Sequence, residues 1–416
     1  MGRTFYASLL TLYRLVVLSG ADYDCPYQMC PCEESRILCA NMGLDRLPPL
    51  TTTQATYNRY LWADNNNITR ISNDSLPTDI IFISLTNNPI LTIDDDAFQR
   101  LSTSLESLVL SNARFTKIPD AFLQLTDLTL LSISNTPIKD WNPVVMSQLG
   151  SRMETLTLEN VSLTTWPRWL QNYTQLTELI IGGHSISSIP DDAFDNMANT
   201  LQRLTIANTS LTAVPKAVLK LHFLNMLSFT FSSISNLTWL PVYSKLNTLI
   251  IQNARISDAD HAGNVLRPFA DSLTQADFQA NLLTKIPDVS FMTSLQILQL
   301  MNNQISDPVS GAKTPALQFL TLNNNPLSTI SAGAVQNLPL LQSIKLANTK
   351  ITRLPLSFAS LSNLKYFDIT GARDLVCTCL EVSLRPVLLK VDTLLGDCGA
   401  VSIRYFFASL SPSCPS

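Results

Sequence analysis

Apolar residues return along most of this chain in one phrase, LxxLxL, followed by one or two Asn and another aliphatic residue. The clearest copies read Ile80-Ile83-Leu85-Asn88-Ile90, Leu295-Leu298-Leu300-Asn303-Ile305 and Leu317-Leu320-Leu322-Asn325-Leu327. With the first aliphatic residue as position one, positions one, four and six turn inward and three, five and seven outward, which predicts a short strand with one buried face. Repeats begin at Asn58, Ile80, Leu105, Leu128, Met153, Leu176, Leu201, Leu224, Leu246, Leu273, Leu295, Leu317, Leu341 and Leu364, at intervals of 22 to 27 residues. No single unit of that size buries its own apolar face, so the units must stack. Fourteen strands at about 4.8 Å each make an arc on the order of 65 Å long. A second apolar set recurs as Ile118-Pro119-Phe122, Ile189-Pro190-Phe194, Val214-Pro215-Val218 and Leu354-Pro355-Phe358. These predict turns on a wider, convex side, because Pro ends a strand. Asp96, Asp120 and Asp192 are placed to cap short helical turns there. The expected fold is an α/β solenoid: a horseshoe with a parallel sheet on the concave face and short turns or helices on the convex face. The longest interval, Leu246 to Leu273, predicts an enlarged outer loop.

Position nine carries Asn66, Asn88, Asn281, Asn303 and Asn325, whose amides can satisfy backbone groups where each strand turns. Elsewhere the Asn stands at position eight before a small residue, in Asn112-Ala113, Asn135-Thr136, Asn208-Thr209, Asn253-Ala254 and Asn348-Thr349. There the Thr hydroxyl can replace the amide and Ala cannot.

Cysteine use adds the compartment. Eight Cys occupy only the ends of the 416-residue chain: Cys25, Cys30, Cys32 and Cys39, then Cys377, Cys379, Cys398 and Cys414. An even count behind an apolar leader reads as disulfides that close the bare faces of the terminal repeats. The leader is Arg3, then apolar Phe5 to Leu18, then Ser19, Gly20 and Ala21, which reads as a secretory signal peptide over 1–21. Zinc is the competing reading of the close thiols, but CxC is not the CxxC of zinc knuckles. Four segments follow: 1–21 signal peptide, 22–57 N-terminal cap, 58–375 repeats and 376–416 C-terminal cap. A formal charge of −4 and the lack of a Lys/Arg run argue against nucleic acid. The apolar stretches are too short and too periodic to span a bilayer.

With repeats and cysteines together, Cys25-Pro26…Cys30-Pro31-Cys32…Cys39, followed by Leu44…Leu47-Pro48, resembles the N-terminal cap of animal extracellular leucine-rich-repeat proteins. Slit, small proteoglycan cores and lamprey variable receptors are of this type. Cys377-Thr378-Cys379…Cys398…Cys414 resembles the matching C-terminal cap, although Ala372-Arg373-Asp374-Leu375 replaces the usual Asn-Pro before it. The resemblance covers about Cys25 to Cys414 and implies the pairs Cys25–Cys32, Cys30–Cys39, Cys377–Cys398 and Cys379–Cys414.

Reactive groups are sparse, with three His and no Gly-rich phosphate loop. His184, at position nine after Gly182-Gly183, reads as a substitute for the structural Asn, and His222 and His261 belong to convex segments without a paired Ser or Asp. The acidic pairs Asp95-Asp96 and Asp191-Asp192 lack a calcium loop. The expectation is a non-catalytic protein without cofactor or metal.

Function is therefore sought at outward strand positions. Tyr60, Trp62 and Phe82 read as residues that the N-terminal cap covers. Ile250, Gln252, Asp277, Gln279, Ile297, Gln299, Met301 and Phe319 mix apolar anchors with amides, as protein interfaces do. Six N-x-S/T sites, at Asn67, Asn73, Asn160, Asn172, Asn208 and Asn236, all lie in the first eight repeats. Sugars there would shield that half and leave repeats nine to thirteen for an extracellular protein ligand. Recognition of glycans or microbial patterns, and an accessory role in a secreted enzyme complex, are the alternatives.

Overall fold

The computed structural model describes residues 25–54, 58–306, 314–331, 335 and 338–410. The leader therefore lies outside the described residues. Fourteen parallel strands open at the third residue of the fourteen repeats, from Tyr60–Trp62 and Phe82–Ser84 through Ile297–Gln299 and Phe319–Thr321 to Tyr366–Asp368. They pair in order and in register, so the position-four residues form one column in which Leu204 faces Leu179 and Leu227, and Leu298 faces Ala276 and Leu320. Both ends extend this sheet. Arg36–Leu38 pairs with the first repeat, backed by the antiparallel strand Cys32–Glu33, and Thr393–Leu395 pairs with the last.

Inward positions make a single continuous core: Leu295, Leu298 and Leu300 are all buried, as are their counterparts from Ile80 to Phe367. Each such side chain contributes about 1.5–3 kcal/mol on burial. Convex-side aromatics fill the outer half of the core, with Phe98 against Phe122 and Trp166 against Phe194 at ring separations of 6.0 and 5.4 Å. Pro119, Pro215 and Pro355 each precede a short 3-10 helix, at Asp120–Gln124, Lys216–Lys220 and Leu356–Ser360. The long interval before Leu273 holds an α-helix, Ala259–Val265, where a loop was expected; Asp258 Oδ1 starts it by accepting from the His261 N–H at 2.9 Å.

The acidic residues of the convex turns do not cap. Pro119 holds the cap position and Asp120 lies inside the first turn, where its carboxylate accepts instead from Lys117 Nζ and Asn142 Nδ2, both at 2.8 Å. Asp96 precedes a helix that begins only at Gln99, and Asp192 one that begins at Asp195. A 3-10 turn led by Pro leaves Asp120 no place as a side-chain cap, and the Asp120 and Asp192 carboxylates link neighbouring repeats, through Asn142 and Gln171.

The asparagines at position nine behave as the sequence implies. Asn303 is buried, donates to the carbonyls of Phe278 and Leu300 at 2.8 and 3.0 Å, and accepts the Leu283 N–H at 3.1 Å. Thr136 and Thr349 use their hydroxyls on the Ser134 and Leu346 carbonyls, whereas the buried Thr209 hydroxyl, expected to do the same, has no hydrogen-bond partner. His184 departs from expectation. It is exposed, because Gly183 packs so tightly on Leu163 that a Cβ would come within 2.3 Å of its carbonyl oxygen, and the chain turns early through Gly183 C=O to the Ile186 N–H.

Position eight is a distinct site and not a displaced position nine. Asn65, Asn87, Asn112, Asn135, Asn160, Asn208, Asn253, Asn302, Asn324 and Asn348 all have φ between 49° and 59°, the left-handed region, and Gly371 has φ 75°. Asn tolerates that region better than other side-chain-bearing residues. Exposed Asn amides link neighbouring repeats here: Asn87 to Asn65 at 2.6 Å, Asn160 to Asn135 at 2.9 Å and Asn348 to Asn324 at 2.8 Å. Phe231 breaks the series with φ 52° and a side chain 62% exposed. A bulky residue in the left-handed region costs about 1–2 kcal/mol, and little burial offsets it. Phe231→Asn is therefore expected to raise the unfolding free energy by about 1 kcal/mol in urea titration.

Candidate functional site

Three of the four cap bonds that the resemblance implies are present. Cys25–Cys32, Cys30–Cys39 and Cys377–Cys398 are bonded. Cys379 is also disulfide-bonded, and Cys414 lies outside the described residues. The Tyr27 hydroxyl, fully buried, donates to the Ser75 carbonyl at 2.6 Å and ties the N-terminal cap to the first repeat. At the other end the buried Glu381 carboxylate receives Arg353 Nε at 2.6 Å and the Thr378 N–H at 2.8 Å. Among the described residues no group of three or more His, Cys, Asp or Glu is placed to hold a metal, and no helix is long and apolar enough to cross a membrane.

The concave face begins with an aromatic group that the cap does not cover. Tyr60 is 40% exposed, and Phe82 lies between it and Trp62 at ring separations of 6.3 and 4.6 Å. The cap strand pairs beside Tyr60 in register and does not fold over it. The middle repeats carry hydroxyls and one ion pair, Arg203 with Glu178.

In the later repeats, strand register sets Ile297 directly beside Phe319, and Gln299 beside Asp277 and Thr321. Phe319 is 40% exposed, and Ile297, Gln299, Met301, Gln252 and Gln279 are half-buried. Two expected contact residues lie deeper. Ile250 is buried, and Asp277 is only 2% exposed. Asp277 is committed within the face, because it accepts from Gln252 Nε2 at 2.6 Å, Gln279 Nε2 at 2.8 Å and the Gln279 N–H at 2.9 Å. Gln279 Nε2 reaches Gln299 as well. The outcome is a row of amides, held by one carboxylate, alongside an apolar pair. Lys345 and Tyr366 prolong this face, with the ammonium 5.2 Å from the ring centre; their register positions in repeats thirteen and fourteen carried the signal.

Burial raises the Asp277 pKa above the ordinary aspartate range, against the opposing effect of its donors. The folded state then holds the proton more tightly than the unfolded state. Asp277 stabilises best when protonated, and that contribution is lost as pH rises from the unfolded value, about 3.9, through the folded one. Asp277→Asn should therefore gain stability relative to the parent between pH 4 and pH 7, as urea unfolding at the two pH values would register.

Of the N-x-S/T asparagines, Asn67, Asn160, Asn172, Asn208 and Asn236 are exposed and Asn73 is half-buried.

A capped, in-register solenoid of this kind defines a class. A leucine rich repeat model matches residues 82–138 and 315–373, and a BspA type leucine rich repeat region model matches 151–258. The chain belongs to the leucine-rich-repeat family, in the form closed by cysteine-rich caps. It is 33% identical to Homo sapiens epiphycan over 100 residues, 24% of this chain and 30% of the relative. It is 36% identical to Homo sapiens opticin over 93 residues, 22% of this chain and 26% of the relative. The chain thus spans under a third of these curated relatives. A leucine-rich-repeat protein of Leptospira interrogans shares the fold at TM-score 0.67 and 21% identity, over 85% of this chain and 93% of that one. An internalin of Listeria monocytogenes does so at 0.53 and 21%, over 84% and 89%.

Proposed function

We propose that this is a secreted, non-catalytic binding protein that holds a protein ligand on the concave face of repeats nine to thirteen. The observation that carries the reading is the Ile297–Phe319 pair, with Met301 close by, flanked by the Gln252–Asp277–Gln279–Gln299 row. Apolar anchors beside fixed hydrogen-bonding groups suit a desolvated contact with a polar rim. The row is already organised before binding, which lowers the entropy cost of association. Terminal disulfides and the leader-like start support an extracellular setting. Sugars at Asn160 and Asn208 would crowd repeats five to seven and leave the later repeats open.

The test is capture from extracellular fluid by the immobilised chain. Ile297→Asp, Met301→Asp and Phe319→Asp together are expected to abolish capture with thermal unfolding unchanged. Capture retained by that variant would refute the placement.

A further inference from the structure

Between repeats four and five, outside the sheet, lies a half-open cavity of about 440 Å³ lined by Lys139, Trp141, Ser162, Thr164, Thr165 and Trp169, among others. Its floor is a pair of stacked indoles, with Trp141 and Trp169 5.9 Å apart and inclined by 29°. Trp141 Nε1 is shielded from solvent and has no hydrogen-bond partner. The cavity opens where the backbone links between repeats lapse. Repeat four is joined to repeat three by the Lys139 N–H to the Thr116 carbonyl at 2.8 Å, and repeat seven to six by the Ser210 N–H to the Ile186 carbonyl at 2.9 Å. From Ser162 to Trp166, among the described residues, no backbone N–H makes such a bond, and the hydroxyls of Ser162, Thr164 and Thr165 make none either. Ser162 is itself left-handed, at φ 59°.

Exposed peptide and hydroxyl groups without a protein partner are free to take an outside one, and a buried indole N–H is rarely left unpaired. Here a run of such groups borders two indoles, in a space within the size range of small-ligand sites. We propose that this cavity binds a saccharide ring, whose C–H face lies against the indoles while its hydroxyls pair with the Ser162–Trp166 peptides and the Ser and Thr hydroxyls. Such a ring has two possible sources, a free sugar or an N-glycan of the chain itself. The sequon at Asn160 ends on Ser162, and Asn172 shares a 3-10 helix with Trp169.

Saturation-transfer NMR with N,N′-diacetylchitobiose distinguishes the two. The full chain carrying Asn160→Gln and Asn172→Gln should show saturable transfer to the sugar. Trp141→Ala in that background removes one of the two indoles and should raise the midpoint about tenfold, or about 1.4 kcal/mol. Thr164→Val with Thr165→Val, both at exposed positions, should weaken binding without touching the core. Transfer absent from the glycosylated parent makes the chain's own glycan the occupant, and equal transfer makes it a free sugar; either outcome supports the site. No transfer to the sequon-free chain, or midpoints unmoved by both sets of variants, would overturn it.

Discussion

Asn303→Ala is expected to lower the unfolding free energy by about 2–4 kcal/mol, because it strips partners from several buried backbone groups at once. The Phe278 carbonyl and the Leu283 N–H lose the amide that joins repeats ten and eleven. Leu300 and Ile305 beside it are fully buried. The neighbouring Asn324, at position eight, supplies the contrast. Its side chain is exposed and, among the described residues, links to Asn302 and Asn348, so Asn324→Gly keeps the left-handed backbone and should cost less than about 1 kcal/mol. Urea unfolding of the two variants checks both expectations. Equal losses would mean that position nine is not the structural one.

Removing the Cys30–Cys39 bond, as Cys30→Ala with Cys39→Ala, is the second large effect, at about 2–5 kcal/mol. Both residues are buried in the first layer of the core, beside Ile37 and Leu61. In a solenoid each unit contacts only its neighbours, so the damage should begin locally. Hydrogen exchange should first quicken at Arg36–Leu38 and Tyr60–Trp62, the strands nearest the cap, while Ile297–Gln299 keeps its protection. Uniform loss along the chain would show that the cap governs the whole array.

The register of the fourteen strands was legible because a period of two inside a pitch of 22 to 27 residues leaves a single way to bury Leu295, Leu298 and Leu300 together. Asn303 and its counterparts were legible because a buried amide beside a turn has backbone to satisfy. The role of position eight was hidden by reading Asn as an amide and not as a backbone: Asn, with Gly at 371, recurs there because φ is positive. Asp120 misled for a related reason, since its helix is a Pro-led 3-10 turn whose carboxylate points to the next repeat. Asp277 sits at an outward position by pattern. Its burial comes from Gln252 and Gln279 closing over it, one of them a whole repeat away. Trp141 and Trp169 meet through the same kind of stacking between repeats, which no single repeat displays.

Binding by the second half of the concave face is tested most directly by titrating the captured ligand against two matched variants of the deglycosylated chain. One carries Ile297→Asp, Met301→Asp and Phe319→Asp; the other carries Thr155→Asp, Thr157→Asp and Ile180→Asp on the first half. The first is expected to lose at least about a hundredfold in affinity, or about 3 kcal/mol, with the second at the parental value. Loss confined to the second variant would contradict the assignment.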